Sequence, residues 1–347
     1  TLFLIGLFFS LVSTSLIASD KLDTNNYFFF LRHLTYIFLG IVTLIFFSSL
    51  SKKNLFRLSI FLFFISLFLL FLVPIIGTEV KGSKRWLDLF FLPRFQPIEF
   101  VKPFTIIFLA TILSSEKNIH IYYKYFLSFI AIVPISFLLM IQPDIGQTLL
   151  IFLSWLTLVF ISGISLMVFL TFFGISLSSL LYMVFFVPKF FYIKNRILSF
   201  LNPSTGTHNF QSEKAIDAIT SGGYFGKGIG EGTLKNRVPE AHTDYIVSVI
   251  SEEFGVVVII LLLILFLLFI YTVFKKIYLE ENEKTKLVLV GTITLIISQA
   301  LIHLGVNIRL FPTTGMTLPF LSYGGSSIIG VSIISGIILN LTKRKVN

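Results

Sequence analysis

The chain has 347 residues and a mass of 39.4 kDa; 55% of its residues are hydrophobic, only 13% are charged, and the mean hydropathy is +0.93. A soluble globular protein carries about 25% charged residues, so this composition cannot clothe a water-soluble fold of this length, and 42 Phe with 12 Tyr exclude a disordered chain. The absence of Cys excludes disulfides, thiolate metal sites and cysteine nucleophiles, and the net charge of +10 reads as the topology bias of an integral membrane protein rather than as a nucleic-acid footprint.

A helix needs about 20 mainly apolar residues to cross a hydrocarbon core about 30 Å thick. Apolar stretches run over 1–18, 28–49, 58–76, 98–115, 125–141, 148–188, 254–274, 287–306 and 325–341. The stretch 148–188 is too long for one span, and Ser162-Gly163-Ile164-Ser165 near its middle predicts two helices joined by a tight turn. The expectation is an all-α polytopic membrane protein, one integral domain over 1–347 with ten transmembrane helices and a long loop, 189–244, between the seventh and eighth. The continuous Leu/Ile/Phe runs do not alternate as the strands of a membrane barrel do. Residues 1–18 lack a preceding basic region and a small-residue cleavage site, so they read as a first span of a chain trimmed at its N-terminus rather than as a signal peptide.

Lys and Arg orient the spans. Lys52, Lys53, Arg57, Lys117, Lys124, Lys275, Lys276, Lys284, Lys286, Lys343, Arg344 and Lys345 put twelve basic residues on one side. The short loops opposite hold six: Lys21, Lys81, Lys84, Arg85, Arg94 and Arg309. Basic loops stay in the cytoplasm, which predicts both termini inside and 189–244 outside. The seven basic residues of that long loop do not oppose this, because long loops translocate largely regardless of charge.

Charges at membrane depth are costly and therefore candidates for function. Arg32, one turn into the second span, either snorkels to the interface or serves a site. The loop 77–97 carries Lys81, Lys84, Arg85 and Arg94 where basic residues are scarce, and such a cluster calls for an anion: acidic phospholipid heads or a phosphorylated substrate, with Trp86 as an interface anchor. Glu99 and Lys102 stand at i, i+3 after Gln96-Pro97, as a neutralised structural pair or as a pair facing a ligand. Asp144, in Gln142-Pro143-Asp144-Ile145-Gly146, reads as a turn residue.

In the long loop, residues 189–202 form an amphipathic stretch suited to a membrane surface, and 211–220 a short helical pattern. The glycine run Gly222 to Gly232 has no preceding strand and no Lys-Ser/Thr opening a helix, so nucleotide-loop readings fail; close approach to other backbone or to a ligand remains. Pro239-Glu240-Ala241-His242-Thr243-Asp244 precedes a helix running from Tyr245 to about Phe274. Asp244 or Thr243 reads as its N-cap, yet Glu240, His242 and Asp244 also gather acid–base groups at the mouth of the bundle, with Glu252 and Glu253 two turns on. Spacing for a zinc pair is absent. The loop 311–327 holds Ser322-Tyr323-Gly324-Gly325-Ser326-Ser327, and irregular backbone there must be buried in protein or line a wet cavity.

Phe95-Gln96-Pro97-Ile98-Glu99-Phe100-Val101-Lys102, Gln142-Pro143-Asp144-Ile145-Gly146, Pro239-Glu240-Ala241-His242-Thr243-Asp244-Tyr245 with Glu252-Glu253-Phe254-Gly255, and Leu318-Pro319-Phe320-Leu321-Ser322-Tyr323-Gly324-Gly325-Ser326-Ser327 together resemble the SEDS family of RodA and FtsW. The match runs from the second span to the C-terminus. Pro312 to Pro319 and Pro239 to His242 look more like the cell-division branch than the rod-shape branch. Ile98 stands where the family usually has Ser, and Tyr245-Ile246-Val247 replaces the commoner Phe-Ile-Phe.

The resemblance implies a peptidoglycan glycosyltransferase of the bacterial inner membrane that extends glycan strands from lipid II, a disaccharide-pentapeptide on undecaprenyl pyrophosphate. It implies a class B penicillin-binding transpeptidase and divisome regulators as partners besides membrane lipids, and no nucleic acid. The family's essential aspartate falls on Asp244, as a base or as a ligand of Mg or Mn; no organic cofactor is implied. Substrate-binding candidates are Glu99 and Lys102 lining a central cavity, Lys81, Lys84, Arg85 and Arg94 toward pyrophosphate, and Arg32, Glu240, His242, Thr243, Ser322, Tyr323, Gly324 and Gly325. The rival classes are a lipid II flippase, which ten spans and a buried ion pair would suit, and a non-enzymatic divisome scaffold.

Overall fold

The computed structural model describes residues 1–22, 28–80, 82–89, 93–115, 120–201, 210–238 and 241–343. Its elements follow in order: α1 (Leu2–Leu22), α2 (Phe28–Ser49), α3 (Lys52–Ile76), an antiparallel hairpin of β1 (Thr78–Val80) and β2 (Ser83–Trp86), α4 (Ile98–Leu113), α5 (Ile121–Ile141), α6 (Ile145–Ile161) and α7 (Leu166–Phe186). A 3-10 turn, Pro188–Phe190, then leads into α8 (Phe191–Leu201), followed by α9 (Phe210–Gly222), α10 (Leu234–Arg237), α11 (Ala241–Asp244), α12 (Ile246–Leu279), α13 (Glu283–Asn307) and α14 (Gly325–Thr342). The protein is a helical membrane protein, as its composition requires. Among the described residues, seven helices (α2, α3, α5, α7, α12, α13 and α14) are long and apolar enough to span a bilayer. Two further helices are apolar but shorter by that measure, Leu2–Thr14 within α1 and Ile145–Ile161, and α4 has 16 residues including Glu99 and Lys102.

Local chemistry sets the helix ends. Ser51 caps α3 by accepting from the Asn54 amide at 3.3 Å, Asp144 caps α6 through the Gln147 amide at 3.3 Å, and Asn282 caps α13 through the Thr285 amide at 2.9 Å. The apolar run 148–188 breaks where expected: α6 ends at Ile161, Gly163 takes φ 87, and α7 begins at Leu166. The hairpin within 77–97 was not expected. Gly82, at φ 74, makes its turn possible, and pairing continues past β2 through Leu87 and Phe95. The helix expected from Tyr245 to Phe274 is interrupted, because Gly255 at φ 78 and ψ 176 breaks α12 into two segments.

Two compact units divide the chain, one formed by 1–42, 196–272 and 299–331, the other by 43–195, 273–298 and 332–347. In the second unit, Phe63 stacks on Phe108 at 4.3 Å between α3 and α4, Trp155 of α6 donates to Ser128 of α5 at 3.0 Å, and Gly291 lies against Ile106 and Leu158. Asn340 of α14 donates to the carbonyls of Phe47, Ser48 and Leu50, satisfying the open end of α2. In the first unit, Gly6 of α1 lies against the backbone of Phe320, and the rings of Phe3, Phe266 and Phe269 surround the Phe320 ring. Phe320 takes φ 69, a left-handed conformation that costs a non-glycine residue on the order of 1–2 kcal/mol and that this cage of rings holds in place.

Candidate active site at the α11 turn and the 316–325 loop

Asp244 ends the one-turn helix α11, and α12 begins two residues later. The first turn of α12 is bonded from α13. Asn307, at the end of α13, accepts from the Ser248 amide at 3.1 Å and the Ser248 hydroxyl at 2.7 Å, in the first turn of α12. Its own amide donates to the carbonyls of Asp244 at 3.1 Å and His303 at 2.8 Å. The Asp244 backbone is thus pinned by α13. Its neighbour Tyr245 is buried, and its phenol pKa is pushed up, first by burial and then by the Asp244 charge.

The 316–325 loop is laid onto the same turn. His303 donates through Nδ1 to the Met316 carbonyl at 2.7 Å, and Gln299 donates to the Thr317 carbonyl at 2.9 Å. Ser322 works in both directions: its hydroxyl accepts from the Leu318 amide at 2.8 Å and donates to the Thr243 carbonyl at 2.7 Å. The Tyr323 amide reaches the His242 carbonyl at 3.2 Å. These bonds bring Ser322, Tyr323, His242, Thr243 and Asp244 together.

Aromatic packing fixes Tyr323. Its ring stacks on His33 of α2 with centroids 5.3 Å apart and meets His242 edge-on at 5.3 Å, with Phe29 at 5.9 Å. Burial pushes the Tyr323 phenol pKa up while the Arg32 guanidinium pulls it back. Arg32 itself is exposed, its guanidinium 5.9 Å from the Tyr36 ring centre. Gly325 is required, because a Cβ there would come within 2.5 Å of the Tyr36 ring, whereas a Cβ at Gly324 would make only ordinary contacts. Chemically, the assembly offers a half-buried carboxylate, a histidine, a tyrosine and an exposed cation within one compact unit.

Glu99 and Lys102 belong to a separate constellation in the other unit. Both are buried; Lys102 Nζ lies 2.8 Å from Glu99 Oε2, and Gln147 donates to Glu99 Oε1 at 2.9 Å. Asp144 accepts from Gln96 at 3.2 Å, with Arg85 Nε 3.8 Å away. Arg85 also donates to the carbonyls of Gln142 and Pro143. Burial pushes the Asp144 carboxyl above the usual carboxylate range, and Arg85 pulls it back. The described basic residues of 77–97 have separate neighbours: Arg85 turns to the α5–α6 hairpin, Arg94 lies 3.5 Å from Asp88, and Lys84 sits in β2 across from Glu79. Lys81 and Glu240 lie outside the described residues.

The glycine run of the long loop meets backbone. Gly226 and Gly228 lie against Glu253, and Glu252 accepts from the Thr233 and Leu234 amides and from Lys227. Glu252 and Glu253 therefore hold this loop. Among the described residues no three His, Asp or Glu side chains converge as a metal cage. Asp244 offers one carboxylate, which is the share protein often contributes when Mg is held mainly by substrate phosphates.

His33, Gln299, His303 and Asn307 were missed from sequence. Three of them carried a signal: Gln299, His303 and Asn307 recur at intervals of four, one polar face on an otherwise apolar helix. His33 is buried, and among the described residues neither ring nitrogen has a hydrogen-bond partner.

The family model described as "Cell cycle protein", FTSW_RODA_SPOVE, matches residues 1–347. The chain belongs to the FtsW, RodA and SpoVE family. A protein of Caulobacter vibrioides named "Probable peptidoglycan glycosyltransferase FtsW" is 32% identical over 98% of this chain and 86% of its own length. Stage V sporulation protein E of Bacillus subtilis is 33% identical over 98% of this chain and 93% of its own length. Among solved structures, a chain described under "Structural coordination of polymerization and crosslinking by a peptidoglycan synthase complex" superposes with a TM-score of 0.78 at 27% identity, covering 98% of this chain and 95% of that one. RodA of Thermus thermophilus superposes with a TM-score of 0.69 at 27% identity, covering 98% of this chain and 94% of that one. Of the two departures from the family pattern, Ile98 opens α4 and Tyr245 joins α11 to α12; both are buried.

Proposed function

We propose that this family member is a peptidoglycan glycosyltransferase that polymerises lipid II into glycan strands at the periplasmic face of the bacterial inner membrane, in septal wall synthesis. The whole-length likeness to FtsW proteins supports the reaction class. The observation that carries the site is Asp244: its carbonyl is held by Asn307, and the loop bonded to the same turn brings His242 and Tyr323 beside it.

In the reaction, an acceptor sugar hydroxyl attacks the anomeric carbon of the donor. A C–O bond forms, the anomeric carbon's bond to the diphosphate breaks, and the diphosphate leaves with the electron pair. Asp244 takes the proton from the attacking hydroxyl, its backbone held by Asn307 so that the carboxylate is placed before substrate arrives. His242 and Tyr323 line the approach, and Arg32, exposed beside Tyr36 in the same unit, meets the leaving diphosphate. A divalent cation arriving with the diphosphate would find one carboxylate in Asp244 and would supply charge neutralisation to the leaving group. In the other unit, Glu99 with Lys102 forms a buried charge centre.

The membrane arrangement belongs to the same reading: ten spans, both termini cytoplasmic and 189–244 outside, with a class B penicillin-binding transpeptidase and divisome regulators as partners. The test is polymerisation of lipid II in detergent by the purified chain, with and without the transpeptidase. Glycan polymer on a gel is expected. In detergent there is no membrane to cross, so a flippase or a scaffold would yield none.

A further inference from the structure

We propose that the 221–230 loop is a membrane-interface anchor, with Tyr224, Phe225 and Ile229 seated in the interfacial layer of the leaflet remote from Lys275 and Lys276. The three side chains are 75%, 84% and 65% exposed, an unusual display for large apolar groups on a loop.

The exposure is imposed by a fixed backbone. The Gly226 amide donates to the Gly222 carbonyl at 2.8 Å, the Lys227 amide to Glu252 at 2.9 Å, and the Gly228 amide to Glu253 at 3.0 Å. In return, the Val256 amide donates to Gly223 at 3.0 Å and the Val257 amide to Tyr224 at 3.3 Å. Glycine is required at the crossing: a Cβ on Gly255 would stand 2.1 Å from the Tyr224 carbonyl, and one on Gly226 would stand 2.2 Å from that of Glu253. The loop is therefore tied to the break in α12.

That break has a depth. Residues 255–274 carry no charged side chain, and Lys275 and Lys276 follow them. Twenty residues at 1.5 Å each cover about 30 Å, the thickness of the hydrocarbon core. With the two lysines at one edge, Gly255 lies at the other. The loop bonded to Val256 and Val257 then sits at the polar–apolar boundary, where aromatic side chains anchor. Val257, Ile260, Leu261 and Ile264 continue an exposed apolar surface down α12, so the patch is continuous with a lipid-facing helix. The loop's own cation is neutralised by pairing, Lys227 Nζ lying 3.1 Å from Glu252 with its side chain 36% exposed. Lipid is the occupant that fits this depth and chemistry. The inference rests on α12 crossing the membrane and is independent of the reaction.

Because the chain has no Cys, Phe225→Cys and Ile229→Cys each accept one nitroxide label. The full chain is reconstituted in vesicles of phosphatidylethanolamine and phosphatidylglycerol, and label relaxation is compared with oxygen, which concentrates in the bilayer, and a nickel chelate, which stays in water. Asp217→Cys on α9 serves as the aqueous control and Leu261→Cys on α12 as the lipid control. Both loop labels are expected to give oxygen-to-nickel ratios between the controls and clearly above Asp217→Cys. A ratio equal to the aqueous control overturns the proposal. Poor access to both reagents overturns it as well, in favour of a protein partner or a second copy of the chain.

Discussion

Arg85 shows how a residue type can be read correctly and its partner missed. Four basic residues in 77–97 called for an anion, and for Arg85 that anion is Asp144, 48 positions from Gln96, which bonds the same carboxylate. No spacing rule connects residues that meet only through helix packing. Asp144 was legible as a turn residue because Pro-Asp-Gly chemistry is local. The pair yields a pH prediction. A carboxyl whose pKa is raised on folding favours the folded state below its unfolded pKa of about 3.9, and that advantage is lost as pH rises through the folded value. Arg85→Met removes the cation that opposes the rise. The variant should therefore lose stability at neutral pH by somewhat less than the about 3–5 kcal/mol of a fully buried pair, since the Arg85 side chain is 17% exposed. The loss should shrink on acidification toward Asp144 protonation, and Asp144→Asn should relieve it at neutral pH. Thermal unfolding in detergent across pH measures this; a loss independent of pH contradicts it.

At the scale of elements, periodicity located the long helices, because a bilayer allows little besides continuous apolar runs, and the turn at 162–165 announced itself by Gly163. The break at Gly255 did not. It lies where the run turns fully apolar, and only the glycine segment pressed against it explains why the helix stops there. The polar face of α13 was readable but was not read, and it organises the site. Asn307 meets the Ser248 amide and hydroxyl at the start of α12 and holds the Asp244 carbonyl. Asn307→Ala should leave buried groups unsatisfied at a cost of about 1–3 kcal/mol. Turnover should fall while KM for lipid II changes little, because the carboxylate is displaced and the substrate surface is kept. Steady-state kinetics beside a melting curve decide this, and wild-type stability with wild-type turnover would refute the pinning role.

For the molecule as a whole, family membership was legible because four motifs occur in order, and each is tied to a contact that needs it: Glu99 to Lys102 and Gln147, Asp144 to Gln147, Thr243 to Ser322, and Gly325 to Tyr36. Which charges face a substrate was not legible, since burial decides it and sequence does not report burial. On the proposed orientation, a reporter active only outside the cytoplasm, fused near Thr205, should be active; Thr205 lies outside the described residues, and activity of a cytoplasmic reporter there would reverse both faces. The central claim is tested most directly by lipid II polymerisation with purified wild-type and Asp244→Asn protein, each with and without the proposed transpeptidase partner. Loss of general-base catalysis should cut polymer formation by about 10²–10⁴. Expression, melting temperature and partner binding should stay near wild type, because Asn replaces Asp at nearly the same volume. An Asp244→Asn protein that polymerises lipid II at the wild-type rate would contradict the account.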